Sequence, residues 1–453
     1  MILKKENLSN QKITVLGAAR SGLAVSELLK TQGAQVFVSD MADASSMQDA
    51  VQFLENHKIH YEMGGHSDRI YDANAWIISP GIPIDHPMVI ESKARGIRVV
   101  GELEAASWFC KSEIIAVTGS NGKSTTTALI GEIFKADNRP VVVAGNIGRS
   151  FASVVEKTGE GCVAVLEVSS FQLETIDHFH PGIALLLNLS PDHLDRHGDM
   201  EQYGKMKARL FENQDHRDYT VYNSSDYRIR GLAASTKAEK AEFSRPHTRF
   251  PCTFTEQGVI YIQREGRKQA VVSLNEMQLV GEHNQANAEA AVLGASLLGA
   301  SINACRTALQ RFRSLEHRME SVGESGEILW INDSKGTNTD STWYALGSFT
   351  RPVILIAGGK DKDSDFSLLN DRIREHVKLL ILIGDAADKM EKTFKGLTDI
   401  QRAATLKDAV DRAEKAAKPG DVVLLSPACA SFDMFSNFED RGQQFKSLVR
   451  DRL

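Results

Sequence analysis

Short apolar runs rich in Val and Ile recur along the chain, and each ends in Gly, Ser or Asp before a helical pattern begins. They include "KITVLG", "QVFVSD", "IIAVTG", "VAVLEVSS", "PVILIAGG" and "DVVLLSPACAS". Apolar runs without alternation are typical of strands buried on both faces, as in parallel sheets covered by helices. Ligands of such sheets bind beyond the carboxyl ends of the strands. We therefore predict an α/β protein whose site residues follow these runs.

The runs fall into three groups, which predicts three domains at about 150 residues each. The first group closes near "GIRVVGELEAASWF", the second starts at "EIIAVTG", and the third begins around "RFRSLEHRME". We place the domains at 1–101, 102–313 and 314–453. Region 225–275 is more polar, and within it "TKAEKAEFSRPHTRF" and "QREGRKQ" predict turns and hairpins.

Charge and composition restrict the class of partner. The chain carries 53 Lys and Arg against 59 Asp and Glu, a formal net charge of −6, so nothing favours nucleic acid or an anionic membrane as partner. The five cysteines never form a C-x-x-C pair, which favours a reducing compartment. The start "MILKKENLSN" lacks the apolar core of a signal peptide, and the apolar runs are too short to span a bilayer. We expect a cytoplasmic monomer.

The stretch "IAVTGSNGKSTTTALIGEIF" predicts a strand, a glycine loop and a helix that begins near Ser124. Free amides at a helix start attract an anion, Lys123 adds a mobile charge, and Ser124 stands where a Mg²⁺ ligand is expected. The loop is shorter than the usual G-x-x-x-x-G-K-[ST], because two residues separate Gly119 from Gly122. The alternative is an ordinary turn with a surface lysine.

Other candidate residues follow later strands. Glu167 is the first acid after "CVAVL" and resembles a metal-binding acid, although a capping or ion-paired glutamate would look the same. His193 follows the next strand and could be a metal ligand or a loop residue. The helical stretch "EQYGKMKARLF" carries Lys205, Lys207 and Arg209, and its pattern does not choose among them.

The N-terminal "VLGAARSGLA" is a near match to the dinucleotide fingerprint G-x-G-x-x-G, with Ala19 at the middle glycine. Asp40 ends the next predicted strand and could accept ribose hydroxyls. Such a fingerprint serves NAD, FAD, a nucleotide sugar or no ligand equally well.

Taken in order, the motifs "TGSNGKST", "LEVSSFQLE", "SPDHLDRH", "GEHNQANAEAA", "LEHRME", "NDSKGTN" and "LLSPACASFDMFSNFEDRG" resemble the Mur ligase family of ATP-dependent amide-forming enzymes. "GAARSG" and "SPGI" extend the resemblance over essentially the whole chain. "SSFQL" and "SPACASFD" are similar to members that add D-glutamate. The resemblance implies a Rossmann-like UDP-binding domain, a central P-loop ATPase-type domain with a mostly parallel sheet, and a Rossmann-like C-terminal domain.

The resemblance also implies roles for single residues. For ATP, it implies Gly119, Ser120, Asn121, Gly122, Lys123, Ser124, Thr125, Asn284, Asn287, Arg318 and Asp333. For two Mg²⁺ ions, it implies Ser124, Glu167, His193 and Lys207, with Lys207 carbamylated; Lys123, Glu167, His193 and Lys207 form the catalytic set. For the UDP-sugar substrate, it implies Ser21, Asp40, Ser79 and Asn146. For D-glutamate, it implies Lys335, Thr337, Lys362, Ser431 and the backbone amide of Phe438.

Two details qualify the resemblance. Ala19 crowds the approach to a diphosphate, and Met41 stands where relatives can carry threonine, so no uracil contact is assigned to it. "SNFE" at 436–439 predicts a capping box at the start of the last helix, where an anion is favoured.

The implied reaction joins D-glutamate to UDP-N-acetylmuramoyl-L-alanine through an acyl phosphate, with release of ADP and phosphate, during peptidoglycan precursor synthesis. The partners are then these small molecules and ATP. The rival readings are a sibling ligase that adds another amino acid, a folylpolyglutamate synthase, and a nucleotide- or dinucleotide-binding protein without ligase chemistry.

Overall fold

The computed structural model describes residues 8–246, 249–279 and 281–453. In these residues twenty strands form three sheets with flanking helices. The chain divides into two compact units. Unit 1 holds the described residues of Met1–Leu189, Glu201–Ser273 and Asn287–Leu309, and unit 2 holds those of Ser190–Met200, Leu274–Ala286 and Gln310–Leu453.

The N-terminal sheet lies in unit 1, and all of its strand pairs are parallel. Its strands are β1 (Lys12–Leu16), β2 (Gln35–Asp40), β3 (His60–Met63), β4 (Ala75–Ile78) and β5 (Arg98–Gly101). The helices beside them are α1 (Arg20–Thr31), α2 (Gln48–Asn56), α3 (Pro87–Ala94) and α4 (Glu102–Ser107). The order β3-β2-β1-β4-β5 reverses direction between β1 and β4, where a doubly wound sheet opens a crevice for a ligand.

The central sheet also lies in unit 1 and has the order β14-β13-β12-β11-β10-β9-β6-β8-β7. Its strands are β6 (Glu113–Thr118), β7 (Val141–Gly145), β8 (Val163–Glu167), β9 (Ile183–Leu186), β10 (Tyr219–Asn223), β11 (Glu239–Phe243), β12 (Cys252–Glu256), β13 (Val259–Arg264) and β14 (Arg267–Ser273). The helices of this part of the chain are α5 (Lys123–Ala136), α6 (Ser170–Leu173), α7 (Leu194–His197), α8 (Met200–Ala208), α9 (Tyr227–Ala233), α10 (Glu282–Leu297) and α11 (Ile302–Arg311). Strand β6 lies between β8 and β9, so the loop after it has neighbours on both sides.

Region 225–275 is only partly the set of hairpins that its polarity predicts. Strands β12, β13 and β14 are antiparallel, and Glu265 and Gly266 form the turn between the last two with positive φ angles of 50° and 75°. This is the turn chemistry that a tight hairpin favours. The prediction is wrong for 239–243, within the first of the two stretches, which is the parallel strand β11. Residues 227–233, which precede both stretches, form helix α9. His247 and Thr248, within the predicted turn "SRPHTRF", lie outside the described residues.

The C-terminal sheet lies in unit 2 with the order β15-β16-β20-β17-β18-β19. Its strands are β15 (Glu320–Ser325), β16 (Ile328–Asn332), β17 (Val353–Gly358), β18 (Val377–Ile383), β19 (Asp399–Arg402) and β20 (Val422–Leu425). Its helices are α12 (Thr339–Gly347), α13 (Asn370–His376), α14 (Ala387–Phe394), α15 (Leu406–Ala416) and α16 (Phe438–Arg450). Alternate residues of β17 enter two separate apolar clusters, so this strand is buried on both faces, as its continuous apolar sequence predicts.

The predicted α/β class and mostly parallel sheets are confirmed. The boundaries at residues 101 and 313 stay a prediction. In the described part of the chain, no helix is long and apolar enough to cross a bilayer.

Candidate active site

The loop after β6 has the backbone shape of an anion cradle. Gly122 caps α5 with φ +80°, in the left-handed region that glycine tolerates. A Cβ on Gly122 would lie 2.2 Å from Asn287 Oδ1, and one on Gly119 would lie 3.0 Å from Leu187 Cβ. At both positions a Cβ would crowd a neighbouring side chain in addition to straining the backbone. Helix α5 begins at Lys123, one residue before the predicted start.

Asn188, which sequence reasoning missed, supports this loop from the end of β9. Its Oδ1 accepts a hydrogen bond from the Asn121 amide at 2.7 Å, and its Nδ2 donates to the Asn121 carbonyl at 3.0 Å. Its own carbonyl accepts from the Ser120 amide at 3.0 Å. The only available signal was its position directly after an apolar run.

Lys123 lies over the loop that precedes it. Its Nζ donates to the carbonyls of Gly119 at 2.9 Å and Ser120 at 2.8 Å. Ser124 and Thr125 follow it as buried residues in the first turn of α5. Asn287 reaches the same turn, where Thr126 Oγ1 lies 3.4 Å from its Oδ1. Of the residues predicted for ATP, unit 1 thus brings together Gly119–Thr125 and Asn287.

Glu167 ends β8 and is 1% exposed. Its register partner on β6 is Val117, so the carboxylate lies at the same sheet edge as the glycine loop. Asn146 Nδ2 donates to Glu167 Oε1 at 2.9 Å, and the Asn146 amide donates to the Glu167 carbonyl at 2.9 Å. Asn146, predicted to contact the UDP-sugar, therefore orients a predicted metal ligand.

The structure distinguishes the basic residues of α8 from one another. Lys207 is 1% exposed, and its Nζ donates to the Gly119 carbonyl at 2.8 Å and lies 4.5 Å from the centre of the Tyr203 ring. Lys205 is exposed and pairs with Glu201 on the same helix. Only Lys207 of these two reaches the glycine loop.

The residues predicted for the UDP-sugar in the N-terminal sheet lie at its carboxyl edge. Asp40 ends β2, and its two carboxylate oxygens accept from the amides of Ala18 at 2.6 Å and Ala42 at 2.8 Å. Ser21 lies in the first turn of α1, and Ser79 follows β4 with its amide bonded to the Leu16 carbonyl at 3.0 Å. The three residues therefore flank the crevice between β1 and β4.

In unit 2, Asp192 connects two predicted site residues. His193 Nε2 lies 3.6 Å from Asp192 Oδ2, and Lys362 Nζ lies 4.0 Å from Asp192 Oδ1. Asn338 Nδ2 donates to the same carboxylate at 3.3 Å. His193 has a left-handed backbone with φ +54°, which is uncommon for a residue other than glycine.

Asp333 follows β16 and is 5% exposed. It accepts from Ser426 Oγ at 2.7 Å and from the Met319 amide at 3.2 Å. Burial raises the pKa of Asp333 to about 6, and the nearby charge of Arg318 opposes that rise. Asn284 lies buried in α10, beside His283, whose pKa is lowered to about 4 by burial and by Arg318. Unit 2 thus places the charge of Arg318 near both Asp333 and His283.

The remaining residues predicted for D-glutamate follow β16 and β20. Lys335 Nζ lies 5.1 Å from the centre of the Phe438 ring, and the Thr337 amide donates to the Lys335 carbonyl at 2.9 Å. The Ser431 carbonyl accepts from the Phe435 amide at 2.9 Å. Phe438 is the first residue of α16, so its amide lies at a helix N-terminus, as predicted.

The predicted capping box is wrong by one residue. Asn437, not Ser436, is the N-cap, and its side chain accepts from the Asp440 amide at 2.7 Å. Asparagine is as good an N-cap as serine, so the sequence is compatible with an N-cap at either residue.

Arg441 is a buried residue that sequence reasoning missed. Its guanidinium donates to the Ser334 side chain at 3.0 Å, the Ser334 carbonyl at 2.8 Å and the Cys429 carbonyl at 3.2 Å. Burial lowers the pKa of Arg441 to about 10. It joins the segments that follow β16 and β20.

Three protein-family models match successive parts of the sequence, in an order that agrees with the three sheets. The MurD N-terminal domain matches residues 12–88, the Mur ligase middle domain residues 117–295, and the Mur ligase glutamate ligase domain residues 317–429. A UDP-N-acetylmuramoylalanine–D-glutamate ligase of Salinibacter ruber is 40% identical, over 99% of both chains. The chain belongs to the Mur ligase family. The predicted family membership is confirmed.

Solved structures of Mur ligases and related ligases share the fold. A pseudomurein peptide ligase type C from Methanothermus fervidus matches 98% of this chain and 100% of its own with a TM-score of 0.63 at 17% identity. The MurF ligase from Thermotoga maritima, in complex with ADP, matches 100% of this chain and 98% of its own with a TM-score of 0.60 at 14% identity. The predicted three-domain Mur ligase fold is confirmed.

In the described residues, no three His, Cys, Asp or Glu side chains lie together in a way suited to a metal ion. The two Mg²⁺ sites and the role of each residue remain predictions.

Proposed function

We propose that this protein joins D-glutamate to UDP-N-acetylmuramoyl-L-alanine at the expense of ATP. The substrate carboxylate attacks the γ-phosphorus, the bond to ADP breaks, and an acyl phosphate forms. The amine of D-glutamate then attacks the acyl carbon, phosphate leaves, and the amine nitrogen loses a proton. The reaction belongs to cytoplasmic peptidoglycan precursor synthesis.

One observation carries the proposal: Lys123 and the buried Lys207 both bond to the Gly119 carbonyl. A carboxylate is a poor electrophile near neutral pH, so activation by phosphoryl transfer is the main energetic need. Positioned cations and amides supply most of the catalysis in such transfers. In this proposal the loop amides and Lys123 hold the phosphates.

The donor set fits Mg²⁺ if Lys207 carries a carbamate. Ser124 Oγ, the Glu167 carboxylate and a carbamate oxygen are hard ligands of the kind that Mg²⁺ takes together with phosphate. A carbamate forms when the neutral Lys207 amine attacks CO₂ and releases a proton, and it replaces a cation with an anion. His193 would serve a second ion. Bound Mg²⁺ would neutralise charge on the transferred phosphoryl group.

In this proposal each substrate has its own set of residues, and these sets draw on the domains at 1–101, 102–313 and 314–453. The crevice flanked by Ser21, Asp40 and Ser79 holds the UDP moiety, and Asn146 contacts the same substrate. Asn284, Asn287, Arg318 and Asp333 hold the adenine nucleotide. The amino acid is bound by Lys335, Thr337, Lys362, Ser431 and the amide of Phe438.

Phosphate release with ATP and UDP-N-acetylmuramoyl-L-alanine tests the proposal. D-Glutamate, L-glutamate, L-lysine, meso-diaminopimelate and L-alanine are assayed in parallel. Release with D-glutamate alone is the expected result. Release with another amino acid would assign the chain to a sibling ligase, and ATP binding without release would remove the ligase assignment.

A further inference from the structure

Segment 173–179 runs from the last residue of α6 toward β9, which begins at Ile183, and it follows Glu167 in the sequence. Helix α6 starts three residues after Glu167 and is fixed by a capping box, in which Ser169 and Gln172 bond each other's backbone amides. The capping box thus ties this single turn to the backbone at Ser169, two residues after Glu167. The position of segment 173–179 therefore bears on where the Glu167 carboxylate lies.

Glu104 of α4 accepts hydrogen bonds from the backbone amides at the end of this segment. Its Oε2 accepts from the consecutive amides of Asp177, His178 and Phe179 at 2.9, 3.0 and 2.8 Å. Its Oε1 accepts from Trp108 Nε1 at 2.9 Å, and the residue is fully buried. Successive amides that converge on one oxygen form an anion nest, so this carboxylate fixes the end of the segment to the N-terminal part of unit 1.

Arg209 donates hydrogen bonds to backbone carbonyls at the start of the same segment. Its Nη1 donates to the carbonyls of Leu173 at 2.6 Å and Glu174 at 3.0 Å, and its Nη2 donates to the carbonyl of Ile176 at 2.9 Å. The Leu173 and Glu174 carbonyls lie at the end of α6, where a helix leaves acceptors without partners of its own, and the Ile176 carbonyl lies three residues beyond the helix. Glu212 accepts from Nε at 2.9 Å and from Nη2 at 2.8 Å, which orients the guanidinium.

Arg209 follows Lys207 by two residues, at the end of α8. The guanidinium thus joins the helix that carries Lys207 to the chain that carries Glu167. We propose that Arg209 is a positioning residue that sets the spacing of Lys207 and Glu167 in the metal site. This inference rests on the proposed function, which makes both residues ligands of one ion.

A lysine at position 209 would not serve equally well. One ammonium group cannot span three carbonyls in the fixed geometry of a guanidinium fork, although it keeps the charge. Groups that orient metal ligands typically change metal affinity or activity by about 10–100-fold when they are removed. The expected defect is therefore one of metal-site geometry, with little effect on substrate affinity.

The test compares Arg209→Ala and Arg209→Lys with Lys205→Ala, a matched control two residues before Lys207 on the exposed face of α8. Carbamylation is measured by ¹³C NMR after addition of ¹³C-bicarbonate, with a Lys207→Arg sample to assign the signal. Phosphate release gives kcat, the KM for each substrate and the Mg²⁺ concentration at half-maximal rate. Thermal unfolding reports whether each variant is folded.

For both Arg209 variants we expect a weaker carbamate signal, a kcat reduced about 10-fold or more, a raised Mg²⁺ requirement and KM values within about twofold of wild type. Lys205→Ala should match the wild type throughout. A folded Arg209→Ala or Arg209→Lys enzyme with normal carbamate signal, kcat and Mg²⁺ requirement would overturn the inference. If the wild type releases no phosphate with D-glutamate, the proposed function fails, and an unchanged carbamate signal in a folded Arg209→Lys protein would still refute the positioning role separately.

Discussion

Lys207 Nζ donates to the Gly119 carbonyl at 2.8 Å, across 88 residues of sequence. The bond joins α8 to the loop that we assign to the phosphates. A carbamate on Lys207 would keep an N–H for this bond, so the modified side chain need not leave the loop. The added carboxylate then supplies an anion where the sequence has a lysine.

Replacing Lys207 by arginine separates charge from carbamate chemistry. Arginine keeps the positive charge and the N–H donors, but its guanidinium stays protonated near neutral pH and so cannot take up CO₂. We therefore expect Lys207→Arg and Lys207→Ala each to lose at least about 100-fold in kcat. Steady-state phosphate release measures this, and activity that survives in Lys207→Arg alone would show that the cation itself is what the site needs.

Removing Lys123 should nearly abolish turnover. Its ammonium is the charge that the loop directs at the transferred phosphoryl group, and loss of one such donor typically costs about 100–1,000-fold in kcat. Lys123→Ala is compared with Lys135→Ala, which lies in the last turn of the same helix and pairs with Glu132 on the surface. A near-normal rate for Lys123→Ala would contradict the assignment of this loop.

Much of the fold and the site could be predicted from the sequence, because buried parallel strands leave continuous apolar runs and site residues follow them. Glu167 was found by this position, and Ser124 by its place directly after Lys123 in the glycine loop. Lys207 was not, because its neighbours on α8 are also basic and only burial separates it from Lys205. The resemblance to the family supplied that choice.

What the sequence could not predict depends on long-range contacts between common residue types. Asn188 and Glu104 look like ordinary loop and helix residues, and their roles come from backbone amides that approach them only in the folded chain. Strand β11 was missed because three of its five residues are charged, which is untypical of a strand and typical of a turn. Asn437 and Ser436 were equivalent caps by sequence.

Gly122→Ala should be more destabilising than an ordinary glycine replacement at positive φ. The left-handed backbone alone costs a side chain about 1–2 kcal/mol, and Asn287 would also have to move away from the new Cβ. Gly161→Ala is the matched control, because Gly161 has φ +73° and open space around it. We expect about 3 kcal/mol loss in the free energy of unfolding for Gly122→Ala and about 1 kcal/mol for Gly161→Ala, measured by urea unfolding. Equal losses in the free energy of unfolding would mean that crowding against Asn287 does not destabilise Gly122→Ala.

Glu102 makes the stability of the protein depend on pH in a direction opposite to that of an ion-paired acid. Its Oε1 accepts from the Ala152 amide at 2.6 Å, and burial raises its pKa to about 7 from an ordinary value of 4.5. Between these two values the folded state holds the proton that the unfolded chain has lost, so this group lowers the free energy of unfolding as pH rises. The full loss is on the order of 3 kcal/mol above pH 7.

Glu102→Gln removes this titration while it keeps a carbonyl oxygen for the Ala152 amide. We expect the variant and the wild type to have similar free energies of unfolding at and below about pH 4.5, the variant to become the more stable one as pH rises from 4.5 to 7, and the difference to stay constant above pH 7. Urea unfolding at a series of pH values measures the difference.

Glu113→Gln, which changes an exposed residue at the start of β6, is the control and should follow the wild type. A wild-type advantage over Glu102→Gln above pH 7 would show that the folded protein stabilises the ionised carboxylate, and that the amides at 151 and 152 outweigh the effect of burial at this position.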